Sequence, residues 1–207
     1  MTGQSDTNRP ASMVRLAALL LAAFYLPPLL IVLGVIPFAY RFVVLLAVAA
    51  ALGLLALLRG TPAAELGFRT DNLKPALAAN AALVLLVGLA LLAAFALGLI
   101  RHPRTVDWWR FAPFYVLISC PAQEFACRGF LFSEMGRRGI AGAGSQVAIS
   151  AFTYAFLHIV YRNWLAFLAP LTIGIVWSLL YRRYPNLWGL TLSHAVVGLI
   201  SIAVGLT

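Results

Sequence analysis

Seven apolar runs divide this chain: Leu16–Tyr40, Phe42–Leu58, Pro75–Ile100, Phe111–Met135, Gln146–Tyr161, Trp164–Tyr181 and Leu187–Leu206. A helix that crosses a bilayer needs about 20 apolar residues, within a range of about 17–25. Runs of that size, separated by short basic turns, leave room for little besides helix after helix across a membrane. At 63% hydrophobic and 10% charged residues, the chain holds more apolar side chain than a soluble domain of this length buries. The expected fold is all-α, a polytopic membrane helix bundle of about seven transmembrane helices. Residues 1–12 read as a polar, disordered N-terminus and 13–207 as a single transmembrane domain. The first run follows Arg9 and Arg15 like a signal peptide, but it is long and lacks a small-residue cleavage site. It reads as a retained helix, kinked at Pro27-Pro28. The polar connection Arg59–Lys74 is expected to lie at the membrane interface.

The net charge of +9 does not point to nucleic acid, because the basic residues stand singly or in pairs beside apolar runs, as membrane flanks do. With the N-terminus in the cytoplasm, Arg9, Arg15, Arg59, Arg69, Lys74, Arg137, Arg138, Arg182 and Arg183 fall inside. Arg41, Arg101, Arg104, Arg110 and Arg162 then fall outside. This excess predicts a multi-pass protein of the cell (inner) membrane with its N-terminus cytoplasmic. The lipid bilayer is the expected surrounding and the sequence sets no oligomeric state.

Glu124 and Arg128 break the fourth apolar run. A charged side chain at the bilayer centre costs about 2.5–3.5 kcal/mol on insertion scales. Four positions apart on a helix, acid before base, the two share one face and can pair. Two further helices each carry an imidazole, His158 and His194. Groups of this kind must face the bundle interior. A carboxylate and an imidazole can share a water and activate it against a carbonyl, and a second imidazole can donate to the developing oxyanion. The same three groups could instead hold zinc, although no His-Glu-x-x-His helix is present. Cys120 and Cys127 lie about 10 Å apart along one helix, too far to bridge, and read as inert buried thiols. The intramembrane serines read as partners for neighbouring backbone.

Gln123-Glu124-x-x-x-Arg128-Gly129, then Tyr154-x-x-x-His158, then His194-x-x-x-Gly198, resemble the motifs of the CAAX protease and bacteriocin-processing family of glutamic-type intramembrane endopeptidases. Those motifs are Glu-Glu-x-x-x-Arg, Phe-x-x-x-His and His-x-x-x-Asn. The likeness spans about residues 64–207, including the Leu66-Gly67-Phe68-Arg69 connection and the Asn186-Leu187-Trp188 approach. It implies cleavage of a peptide bond in a membrane-associated protein or peptide, by CAAX-type, leader or C-terminal sorting-signal processing, without a cofactor. By resemblance Arg128 partners the motif glutamate, His158 orients water and His194 polarises the scissile carbonyl; because Gln cannot usefully accept a proton, Glu124 is read as the general base, assisted by Gln123. Gln123 stands where the family's water-activating Glu is expected, Tyr154 where Phe is, and Gly198 where Asn is. These departures motivate the alternative of an inactive member serving as membrane scaffold or immunity factor.

Overall fold

The structure is a computed structural model and describes residues 9–100 and 105–206. Those residues form seven helical rods and no strand. They are α1 (residues 9–32), α2 (Phe38–Leu58), α3 (Leu73–Ala96), α4 (residues 108–137), α5 (Ala143–Tyr161), α6 (Leu165–Arg183) and α7 (Leu187–Ala203). Five of them, α1, α2, α3, α5 and α6, are long and apolar enough to cross a membrane. The chain is a multi-pass helical membrane protein. Residues 1–8 of the N-terminal segment expected to be disordered lie outside the described residues, as do Arg101 and Arg104. The first helix begins at Arg9, inside that segment.

The fourth rod is the innermost. Cys120, Glu124, Cys127, Arg128 and Leu131 are fully buried along it. Around it gather Phe24, Leu52, Tyr154, Trp177, Leu190 and Val197 from five other helices. Its winding is irregular, with π-helical turns at Tyr115–Ser119 and Phe125–Phe130 on either side of Cys120–Glu124. Pro121 lacks an N–H and crowds the carbonyl one turn back, and a wider turn relieves that conflict. The second π turn leaves backbone carbonyls to be satisfied from elsewhere. Ser150 donates to the Cys127 carbonyl at 2.8 Å, and Ser178 donates to Ser150 at 3.0 Å. The serines thus serve neighbouring backbone, as their apolar surroundings require. Helix α1 likewise widens, at Leu20–Tyr25, just before Pro27-Pro28.

The connection after α2 packs onto the bundle. Leu66 is buried, and its carbonyl packs on Gly129 so closely that a Cβ there would sit 2.5 Å from the oxygen. Gly67 takes a positive φ of 86°, and its carbonyl accepts from the Leu187 amide at 2.9 Å. Glu65 accepts from Arg137 at 2.9 Å and also from Ser133. These bonds hold its carboxyl below the usual carboxylate range. At the same end, Glu134 bonds Arg59 and Arg138. Asn186 caps α7 by accepting from the Gly189 amide at 3.1 Å, and donates to the Arg69 carbonyl at 2.8 Å. That cap sets where α7 starts, and with it the depth of His194 two turns later.

Candidate functional site

Glu124 sits in the α-helical turn between the two π turns of α4. Its Oε1 accepts from Arg128 at 3.0 Å and lies 2.7 Å from Nδ1 of His194, a residue 70 positions further on. A carboxylate only accepts, so Nδ1 carries the proton and Nε2 of a neutral His194 carries the lone pair. Nε2 is met by the Tyr154 hydroxyl at 3.1 Å. The result is a chain of bonds from Tyr154 through His194 to Glu124, closed by Arg128. Trp177 stacks on His194 with ring centroids 4.8 Å apart. All five side chains are buried. Oε2 of Glu124 is also buried and has no hydrogen-bond partner among the described residues.

His158 stands apart from this chain. Its Nδ1 lies 2.9 Å from the Tyr154 carbonyl. A carbonyl can only accept, so Nδ1 donates and Nε2 keeps its lone pair. The short helical stretch Leu157–Tyr161 that carries it is wound as 3₁₀. His158 and Gln123 line one cavity, with Pro27, Phe42, Leu157 and Tyr161. Gln123 also donates to the Ser119 hydroxyl at 3.0 Å. Glu124 and His194 are not among the residues lining that cavity. The sequence-predicted residues therefore fall into two adjoining groups: Glu124, Arg128 and His194 in contact, and Gln123 with His158 on the cavity wall.

Tyr154 joins the groups, and the sequence reading undervalued it. Its hydroxyl meets His194, its carbonyl holds His158, and its ring lies 4.3 Å beneath the Arg128 guanidinium. The signal was a hydroxyl added at the motif position where Phe is expected. Tyr115 was missed outright. Its hydroxyl packs against Gly198 so tightly that a Cβ would collide with it, and its ring meets His194 edge-on at 5.9 Å. The space beside the last motif position is therefore filled by a phenol. Tyr154→Phe removes a donor from a buried imidazole nitrogen and is expected to lower stability by about 1–3 kcal/mol. Denaturant unfolding of the detergent-solubilised protein checks this, and an unchanged midpoint would show that the bond carries no energy.

No three His, Cys, Asp or Glu side chains gather where a metal could sit among the described residues. Glu124 and His194 meet, but His158 bonds to backbone instead. Cys120 and Cys127 are free and buried.

Fold and site together define a multi-pass helical membrane protein with Glu124, Arg128 and His194 bonded together in its core and a mainly apolar cavity beside them. Residues 105–200 match the family model described as Rce1-like, type II CAAX prenyl endopeptidase Rce1-like. The chain is similar over that segment to a family of membrane proteases, in line with the likeness read from its motifs. The segment includes Gln123, Glu124, Arg128, Tyr154, His158 and His194, and is shorter than the 64–207 suggested by the motifs. Comparison with curated proteins finds no match, and comparison with solved structures finds none.

Proposed function

We propose that this chain is an intramembrane endopeptidase that hydrolyses a peptide bond of a membrane-associated protein or peptide, with water as the nucleophile and no metal. The observation that supports it best is the 2.7 Å contact between Glu124 and His194, inside the segment that matches the protease family. Oε2 of Glu124, unpartnered and buried, is the atom that takes the water proton. The water oxygen bonds the scissile carbon as its C–O double bond opens to an oxyanion; the double bond then re-forms as the C–N bond breaks, and Oε2 returns the proton to the leaving amine. Arg128 donates to Oε1 of Glu124 and leaves Oε2 free for the water. His194, with both nitrogens engaged, holds the carboxylate in place, and His158 receives the water on the cavity side through Nε2. Gln123 supplies its amide to the substrate.

The inner cell membrane, with the N-terminus cytoplasmic, is the proposed location, from the arginine excess on that side. Processing of a CAAX-type end, a leader or a C-terminal sorting signal is the proposed task. The test is peptide release by the purified protein in vesicles, followed by mass spectrometry, with and without a chelator. Wild-type cleavage that survives chelation and vanishes in His194→Ala supports the reading; full activity of His194→Ala removes that residue from it.

One observation favours a second reading. Gln123, which is a poor proton acceptor, lines the cavity, while Glu124 does not. A non-catalytic scaffold or immunity factor built on the same fold would show that arrangement. Cellular function that is intact with Glu124→Gln would support it.

A further inference from the structure

The cavity that holds Gln123 and His158 has a cation on its wall, Arg41, the first residue after the 3₁₀ turn that opens α2. The Arg41 guanidinium lies over two rings, 4.1 Å from the centroid of Phe38 and 4.4 Å from that of Phe42. Its NH1 donates to the Phe38 carbonyl at 3.2 Å. Its Nε is buried with no hydrogen-bond partner among the described residues. One edge of the guanidinium, Nε with NH2, therefore remains for a ligand, and this is an edge that matches a carboxylate with two parallel bonds.

No carboxylate among the described residues answers it. Every described acidic residue is paired elsewhere: Glu65 with Arg137, Asp71 with Arg69, Asp107 with Arg110, Glu124 with Arg128, and Glu134 with Arg59 and Arg138. The rest of the cavity wall is mainly apolar, with Gln123, His158 and Tyr161 as its other residues bearing polar groups.

We propose that Arg41 is a carboxylate subsite, and that the cavity takes an apolar peptide segment whose carboxylate docks on the free guanidinium edge. A lipid acyl chain would offer nothing to the Gln123 side-chain carbonyl or to Nε2 of His158, which is costly. A peptide backbone supplies N–H donors to both and a C=O acceptor to the second hydrogen of the Gln123 amide. The proposal rests on the reading of this cavity as the substrate site.

The test reads binding rather than turnover. The full-length protein is placed in phosphatidylcholine nanodiscs and titrated with a short fluorescein-labelled Leu/Val/Ala peptide. The peptide is supplied as free acid, as C-terminal amide, and as the amide with one internal Asp. The free acid is expected to bind about tenfold more tightly than the amide, the effect of one charge-assisted contact. Arg41→Gln should abolish that difference and Arg41→Lys should keep part of it. Tight binding of the Asp-bearing amide also supports the subsite and assigns it a side-chain carboxylate; weak binding assigns it the chain end. Equal binding of acid and amide to the wild type overturns the proposal, whether or not the variants fold. So does loss of the acid preference when phosphatidylglycerol is added, which would make Arg41 a lipid headgroup site. A protein that prefers the acid but cleaves nothing overturns the hydrolase reading and leaves the subsite standing.

Discussion

Arg128→Met lowers the stability of the bundle by about 3–5 kcal/mol, the usual cost of stranding one member of a buried ion pair. Both Arg128 and Glu124 are 0% exposed, and they meet at 3.0 Å inside the central helix. Without the guanidinium the Glu124 carboxylate keeps only His194, and the Tyr154 ring loses the cation above it. The pair is not expected to stabilise the fold in net terms, because taking two charges out of water costs about as much as their attraction returns. A Glu124→Gln, Arg128→Met double variant should accordingly recover most of the lost stability. Denaturant unfolding of the detergent-solubilised proteins measures all three. A double variant no more stable than the single one would mean that packing, not a stranded charge, accounts for the loss.

Glu124→Gln should slow hydrolysis by about 100- to 10,000-fold, the range usually supplied by a positioned general base. The replacement keeps size and one acceptor oxygen but cannot take a proton. Because the neutral amide also leaves Arg128 without a counter-charge, the rate must be read in the double variant as well. A folded, inactive double variant places the defect in chemistry. A rate within a few-fold of wild type would transfer the base role to another group, with His158 on the cavity wall as the first candidate. In either case the measurement separates proton transfer from the structural work of the ion pair.

The departures of the sequence from the family motifs acquire physical meaning in the fold. Gly198 is not a gap, because the Tyr115 hydroxyl occupies the space a side chain would need. Tyr154 is more than a ring in place of a ring, since its hydroxyl reaches His194 at 3.1 Å. Neither could be read from spacing. Tyr115 lies 83 positions before Gly198 by their numbers, and no periodicity relates residues on separate helices. The depth of His158 was likewise legible only in part. His158 stands near the end of α5, and the backbone of Tyr154 together with its side chain spans the interval to His194.

What the sequence alone determined is local. Apolar runs of membrane length dictate helices, since lipid offers backbone groups no other partner. Four-residue spacing on one helix dictates the Glu124–Arg128 pair. Tertiary structure alone decided which imidazole joins that pair and which turns to the cavity. That choice depends on how α4, α5 and α7 are rotated and set in depth. The rotation follows from π turns beside Pro121, from the close approach of Leu66 to Gly129, and from the Asn186 cap. Each of these is a contact or a winding defect whose effect depends on neighbours distant in sequence, so its consequence appears only when the helices are packed.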